Sequence, residues 1–250
     1  MVLGISLSSG ILIGCIGIGG VIILPGLVFL TGVPIQQAIA AAMMGFIFSG
    51  VISLINLIKN SNVPWTVLKN LCIGALPSAL AGAWVANRLN PFILEGIIGI
   101  LVLFTGLNSL SKKSSSDIKK NMIAGPTAFT SGLATGFLSA LSGTGGPLIL
   151  VPLLMWLKYS TTLAIHCGQA IQLPIATIAT IGNFVYGSPD LNLSLNVGLG
   201  LIIGTYLGSI LAKQIPKILL TLFVSVSLIV TGTGMLIKIM ADFVFNIYGG

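Results

Sequence analysis

Charged side chains, and acidic ones above all, are scarce in this sequence. Only 6% of its 250 residues are charged, 4 of them acidic, whereas 55% are hydrophobic. Soluble domains carry about 25% charged residues, so this composition excludes a soluble domain. Cysteine is scarce as well: Cys15, Cys72 and Cys167 are isolated within apolar segments, which excludes a disulfide framework or a cysteine metal cluster. The long apolar runs predict an all-α integral membrane protein with several spans.

The net charge of +7 does not indicate nucleic-acid binding, because the lysines lie in short gaps between apolar runs. These gaps divide the chain into two similar halves. We expect a first membrane repeat at 1–110, a basic cytoplasmic linker at 111–120 and a second membrane repeat at 121–250. The expected full spans are 38–58, 70–87 and 91–109 in the first repeat, and 161–186, 193–212 and 218–237 in the second.

Each half also has a glycine-rich motif where a membrane helix should be continuous. Gly143-Thr144-Gly145-Gly146-Pro147 interrupts the uncharged run 121–157, and Gly17-Ile18-Gly19-Gly20 interrupts the run 2–30. As one helix, 121–157 would measure about 55 Å, against a hydrocarbon core of about 30 Å. We therefore predict two half-helices that enter and leave on the same side, and by analogy the same arrangement for 2–30. Three complete crossings remain in each half, and an odd number inverts the second repeat relative to the first.

The distribution of basic residues favours this inverted topology. With re-entrant hairpins, nine of the 11 basic residues fall on one side, and only Arg88 and Lys238 fall on the other. If the broken segments crossed fully, the division would be seven against four. The positive-inside rule thus predicts a cytoplasmic linker, with both termini outside, in the inner or plasma membrane of the cell.

The motif pattern resembles that of a known family. Each half has Gly-x-Gly-Gly followed within six residues by a proline, and then a span that begins Ala38-Ile39-Ala40-Ala41-Ala42 or Ala164-Ile165. This pattern is similar to that of the TauE/SafE sulfite exporters, and the resemblance implies export of sulfite or small organosulfonates. Val21 stands where Pro147 stands in the second motif, so whether the two repeats contribute equally to a site is left open.

A half-helix that begins within the membrane presents unpaired N–H groups and a partial positive charge, which suit an anion. Glycine lets an anion approach this backbone closely. Packing is the alternative for the glycines, as we expect for Gly10/Gly14 and Gly204/Gly208, and hydrogen bonding between helices is the alternative for the polar side chains. The candidate substrate-binding residues are Gly17, Gly19, Gly20, Ser142, Gly143, Thr144, Gly145, Gly146, His166, Gln169, Gln172 and Asn183.

No Asp or Glu is expected in the middle of a span. Glu95 does fall within the expected span 91–109, but it lies near the start of that helix, four residues after Pro91. The membrane potential is therefore the expected driving force, worth about 2.3 kcal/mol per charge at 100 mV. A transporter of a different small anion, a partner subunit and a membrane-embedded enzyme using His166 and Cys167 are the alternatives. The enzyme is disfavoured, since adjacent residues on a helix point about 100° apart. We expect no enzyme activity, cofactor, metal or nucleic acid; the expected partners are a small anion and the lipid bilayer.

Overall fold

The computed structural model describes residues 1–16, 22–60, 65–110, 123–211 and 217–248. Ten α-helices account for nearly all of these residues, as the apolar composition predicts. They are α1 (Val2–Ile16), α2 (Ile23–Thr31), α3 (Ile35–Asn60), α4 (Trp65–Arg88), α5 (Pro91–Leu110), α6 (Gly125–Ser142), α7 (Gly146–Trp156), α8 (Thr161–Tyr186), α9 (Leu191–Leu211) and α10 (Lys217–Tyr248).

The second five helices repeat the first five at a constant spacing. The helix starts pair as Ile35 with Thr161, Trp65 with Leu191, and Pro91 with Lys217, and each pair is 126 residues apart. The ends of α1 and α6, at Ile16 and Ser142, have the same separation. The bounds of these helices therefore recur with one spacing in α1–α5 and α6–α10, and a glycine motif follows the first helix of each set in the sequence.

Four helices of the described chain are long and apolar enough to cross a membrane: Ile35–Lys59, Trp65–Arg88, Leu163–Tyr186 and Leu191–Leu211. They correspond, with bounds that differ by a few residues, to four of the six spans expected from the sequence. The other two expected spans correspond to α5 and α10, whose apolar stretches are shorter, Pro91–Leu107 and Leu228–Ala241. The prediction of an all-helical, multi-pass membrane protein is confirmed.

Glycines bring two helix pairs into backbone contact. On α1, a Cβ added to Gly10 would lie 2.9 Å from the Cα of Gly204 on α9, and a Cβ on Gly14 would lie 2.7 Å from the backbone nitrogen of Ser209. A Cβ on Gly208 would collide with the carbonyl oxygen of Ile11. The predicted packing role of Gly10, Gly14, Gly204 and Gly208 is confirmed. The pair α4 and α6 packs in the same way, with Gly132 and Gly136 of α6 against the backbone of α4.

These contacts also give the helix directions. Gly74 and Gly82 of α4 lie against Phe129 and Phe137 of α6, so the two helices are parallel. Helix α8 is parallel to α4 as well, because Gly182 lies against Ala83 and Gly187 against Asn87 at the ends of both helices. Helices α4, α6 and α8 thus run in one direction.

Helix α7 runs in the opposite direction. Its first residue, Gly146, lies against Ile171 and Ile175 of α8, and Gly168, earlier in α8, lies against Val151, later in α7. Helices α6 and α7 therefore form an antiparallel hairpin, which turns at residues 143–145.

Helices α5 and α10, which begin 126 residues apart, are antiparallel to each other. Gly96 lies opposite Ile239, and Gly106 lies opposite Ile229. Next to the contact between Gly96 and Ile239, the ammonium nitrogen of Lys238 is 3.1 Å from a carboxylate oxygen of Glu95. Glu95 thus has an ion-pair partner on α10, which the position of Glu95 behind Pro91 did not reveal.

Helices α3 and α8 lie at the centre of the molecule. Each packs against the other, and α3 also packs extensively against α9 and α8 against α4. Ala38, Ala41 and Ala42 of α3 are fully buried, as are Met43, the next residue, and Phe46, about one turn after Ala42. Small residues at the start of α3 let the neighbouring helices approach, and the hairpin tip of α6 and α7 reaches this central pair.

Candidate functional site

The second glycine break, residues 143–146, is a turn that needs glycine at two positions. Gly143 ends α6 in the left-handed conformation (φ 63°, ψ 23°). Gly145 precedes α7 with φ 75° and ψ 161°, a region that only glycine occupies readily. Gly146 is the first residue of α7 and is buried. The break therefore follows from backbone geometry as well as from the need for close packing.

Hydroxyl groups hold this turn in place. The Ser139 Oγ donates to the carbonyl oxygen of Gly145 at 3.1 Å, and the Ser142 Oγ donates to the carbonyl oxygen of Leu138 at 2.6 Å. The hydroxyls of Ser142 and Thr144 are 2.8 Å apart. All three hydroxyl residues are buried, so Ser142 and Thr144 join Gly143, Gly145 and Gly146 in one compact polar turn.

Gln172 on α8 lies beside this turn. A Cβ added to Gly145 would be 3.9 Å from the Cγ of Gln172, and a Cβ added to Gly146 would be 3.5 Å from the backbone nitrogen of Gln172. The Gln172 Nε2 donates to the Oγ of Ser49 on α3 at 3.0 Å. Gln172 and Ser49 are both buried, so an amide and a hydroxyl from the two central helices meet at the break.

Phe46 of α3 also lies beside the turn, with its ring 3.4 Å from the position of an added Cβ on Gly145. It occupies the position in the first repeat that Gln172 occupies in the second, 126 residues later. Nothing in the sequence pattern indicated Phe46. Ser49 does lie on a polar face of α3 with Ser53 and Asn56, but the sequence did not show that this face meets Gln172.

The first glycine motif, Gly17, Gly19 and Gly20, lies outside the described residues. The structure does describe both flanking helices, since α1 ends at Ile16 and α2 begins at Ile23. The Cδ1 of Leu24, in the first turn of α2, is 3.0 Å from the position of an added Cβ on Gly143. The start of α2 therefore lies against the second break.

The remaining candidates on α8 lie at other levels of the helix. His166 and Gln169 are half-buried and precede Gln172 by two turns and one turn. Asn183 comes eleven residues after Gln172, a distance of about 16 Å along the axis, and its Oδ1 accepts a hydrogen bond from Asn87 of α4 at 2.8 Å. In the sequence, Gln169, Gln172, Ala176, Thr180 and Asn183 are spaced by three or four residues, which places them on one helix face. The structure nevertheless puts Gln172 at the break and Asn183 near the end of α8.

The break offers neutral hydrogen-bond donors in a buried setting. The first N–H groups of a helix have no partner in a preceding turn, and α7 begins inside the protein at Gly146. The dipole of α7 adds a partial positive charge at this end. In the described part of the chain, no group of three or more His, Cys, Asp and Glu side chains is placed to hold a metal ion. The arrangement suits a small anion held by backbone and amide donors.

Comparison with known proteins agrees with a transporter. A relative from Methanocaldococcus jannaschii, the probable membrane transporter protein MJ0441, is 26% identical over 70% of this chain and 67% of its own length. The probable membrane transporter protein YunE of Bacillus subtilis is 24% identical over 91% of this chain and 93% of its own. No solved structure matches the chain. Residues 2–235 match the family described as Sulfite exporter TauE/SafE. This match spans nearly the whole chain, so the protein belongs to the TauE/SafE family of membrane transporters and is not an enzyme.

Proposed function

We propose that this transporter exports sulfur-containing oxyanions, such as sulfite or small organosulfonates, and binds them at the second glycine break. The observation that carries the proposal is the buried start of α7 at Gly146, beside the hydrogen-bonded pair of Gln172 and Ser49. Sulfite presents several oxygen acceptors, and a site shielded from water must supply donors to them. Backbone N–H groups and the second N–H of the Gln172 amide are such donors, and the hydroxyls of Ser142 and Thr144 hold the turn that presents them.

The full proposed site has more members than those that meet at the second break. The first glycine motif (Gly17, Gly19 and Gly20) would approach from the other repeat, and the contact between Leu24 and Gly143 supports this convergence. His166 and Gln169 would line the path on α8 before the break. In this arrangement the two repeats contribute unequally, because Phe46 of the first repeat stands where Gln172 stands in the second.

The proposed architecture is two inverted repeats, 1–110 and 121–250, joined by a basic cytoplasmic linker at 111–120. Each repeat is a re-entrant helical hairpin followed by three membrane-spanning helices. The antiparallel hairpin of α6 and α7, the antiparallel pair α5 and α10 and the constant spacing of 126 residues support this arrangement. Transporters with inverted repeats commonly bind substrate at broken helices near mid-membrane. We place the protein in the inner or plasma membrane.

The membrane potential is the proposed driving force, because no described Asp or Glu lies at the break. Glu95 lies near the start of α5 and is paired with Lys238, which is 40% exposed, so the pair contributes about 0–1 kcal/mol to stability. We expect Glu95→Gln to keep anion flux within a few-fold of the parent. Complete loss of flux in a folded Glu95→Gln variant would make Glu95 a coupling group.

Reconstituted flux tests the proposed function. Liposomes that contain only this protein are loaded with sulfite, sulfate, thiosulfate or a small organosulfonate, and efflux is measured with and without an imposed membrane potential. We expect sulfite or an organosulfonate to leave fastest, and faster when the potential is negative inside. Selective efflux of another anion would identify that anion as the substrate instead. Absence of flux for the whole panel would contradict the proposal.

A further inference from the structure

A second polar cluster lies near the end of α8, away from the glycine break. It consists of Thr180 and Asn183 of α8 and Asn87 of α4. The Asn87 Nδ2 donates to the Oδ1 of Asn183 at 2.8 Å and to the carbonyl oxygen of Ala83 at 2.8 Å. Asn183 is 2% exposed and Thr180 is 8% exposed. We call these three residues the amide cluster.

Two donors of the amide cluster have no protein partner. The Asn183 Nδ2 and the Thr180 Oγ1 are both buried without a hydrogen bond. The two residues are three positions apart on one helix, so their side chains are neighbours on one face. The acceptor oxygen of Asn183 is already occupied by Asn87, and the amide nitrogen therefore presents unpaired N–H groups next to an unpaired hydroxyl.

The fold itself does not require polar groups here. Counting back 126 residues, the equivalent positions in the first repeat are Leu54 and Leu57. These leucines pack with Leu68, Cys72 and Ala170 in an apolar cluster, in which Leu57 is 3% exposed. Because leaving a buried donor unsatisfied is unfavourable, a purely structural position would be expected to follow the leucine pattern.

The charges nearby are compatible with an anion. Arg88 follows Asn87 at the end of α4 and is exposed, with its guanidinium 5.4 Å from the ring centre of Trp84. The carboxylate of Asp190, in the connection after α8, accepts a hydrogen bond from the backbone N–H of Leu193 at 3.1 Å, at the start of α9. The distribution of basic residues assigns this end of α4 and α8 to the outer side of the membrane.

We propose that the amide cluster is a second, outer binding station for the transported oxyanion, held by the Asn183 amide and the Thr180 hydroxyl. This inference rests on the proposed function. The station lies about 16 Å from Gln172 along α8, on the same helix face, so an anion that leaves the break reaches the cluster before the outer surface. Neutral donors bind the anion there without retaining it as a fixed positive charge would.

Sulfite flux in proteoliposomes, together with thermal unfolding of each purified variant, tests this inference. The variants are Thr180→Val and Asn183→Leu, the second of which reproduces the residue of the first repeat. Thr177→Val is the matched control, because the Thr177 hydroxyl is one turn away and donates to the carbonyl oxygen of Leu173 at 2.9 Å. We expect Thr180→Val to reduce flux about tenfold and Asn183→Leu ten- to a hundredfold, as for the loss of one hydrogen bond to a charged group. Thr177→Val should transport as the parent does.

Thermal unfolding without anion separates a binding role from a structural one. We expect Thr180→Val to unfold at no lower temperature than Thr177→Val, since it removes a buried donor that lacks a partner. Asn183→Leu also removes the acceptor of the Asn87 hydrogen bond and should lose stability for that reason. Flux equal to that of Thr177→Val would overturn the inference and leave the cluster as a site for ordered water. Loss of stability in Thr180→Val that parallels its loss of flux would also overturn it. Absence of flux through the parent protein for sulfite and every other anion of the panel would instead contradict the proposed function, and this inference with it.

Discussion

Replacing Gly145 with alanine tests whether backbone conformation at the break controls transport. Gly145 has φ 75° and ψ 161°, and holding an L-residue there costs on the order of 1–3 kcal/mol. Space is not the obstacle, because the added Cβ would lie 3.4 Å from the ring of Phe46 and 3.9 Å from the Cγ of Gln172. The chain would relieve the strain by rotating Gly145 to negative φ, which turns the peptide N–H of Gly146 away from its present direction.

The expected result follows from the donor that this rotation removes. Loss of one hydrogen bond to a charged group is worth about 1.5–3 kcal/mol, or roughly ten- to a hundredfold in affinity. We therefore expect Gly145→Ala to raise the sulfite concentration that gives half-maximal flux by that factor, measured in proteoliposomes. Thermal unfolding in detergent should show only the loss expected from backbone strain.

Gly32→Ala is the matched control for this experiment. Gly32 ends α2 with φ 68° and ψ 15°, is exposed and has no atom within 4 Å of an added Cβ. Left-handed backbone costs an L-residue about 1–2 kcal/mol, so the two variants should lose similar stability while only Gly145→Ala loses transport. Unchanged flux in Gly145→Ala, or an equal loss of flux in Gly32→Ala, would refute the reasoning.

Three further predictions concern packing, binding and topology. Gly208→Ala should strongly destabilise the protein in detergent, because the added Cβ would collide with the backbone of α1. Gly4→Ala should not, because no atom lies within 4 Å of a Cβ added there. Equal melting temperatures for the two variants would contradict this prediction. Gln172→Leu should weaken sulfite binding ten- to a hundredfold at nearly constant side-chain volume, measured by the shift in melting temperature with sulfite, and an unchanged shift would exclude this amide from the site. In a background without native cysteines, an impermeant thiol reagent applied to intact cells should label Ser188→Cys and not Lys59→Cys, and the reverse pattern would invert the proposed topology.

The glycine motifs show how far the sequence by itself could lead. Backbone groups in a membrane must be paired, so a cluster of glycines within an apolar run predicts a helix end. The structure confirms this for the second motif, where α6 ends at Ser142 and α7 begins at Gly146. Packing glycines were predictable for the same reason, because Gly10, Gly14, Gly204 and Gly208 recur at the spacing of one helix face.

Amphipathic periodicity gave the face of α8 but not the neighbours of each side chain. Gln172 and Asn183 share a face, and the sequence therefore grouped them at one site. Periodicity fixes direction around a helix axis, whereas the distance along the axis to another element depends on how the helices pack. In the tertiary structure Gln172 bonds to Ser49 and Asn183 bonds to Asn87, at two separate levels.

The sequence by itself therefore determined that this chain is helical, embedded in a membrane and broken at a glycine motif. Those properties depend on composition and local backbone preference, which every segment carries independently of the others. Only the tertiary structure decided that Ser49 and Phe46 meet the second break and that Glu95 pairs with Lys238. It also separated Asn183 from Gln172. Such contacts join residues that are distant along the chain, and helix packing alone brings them together.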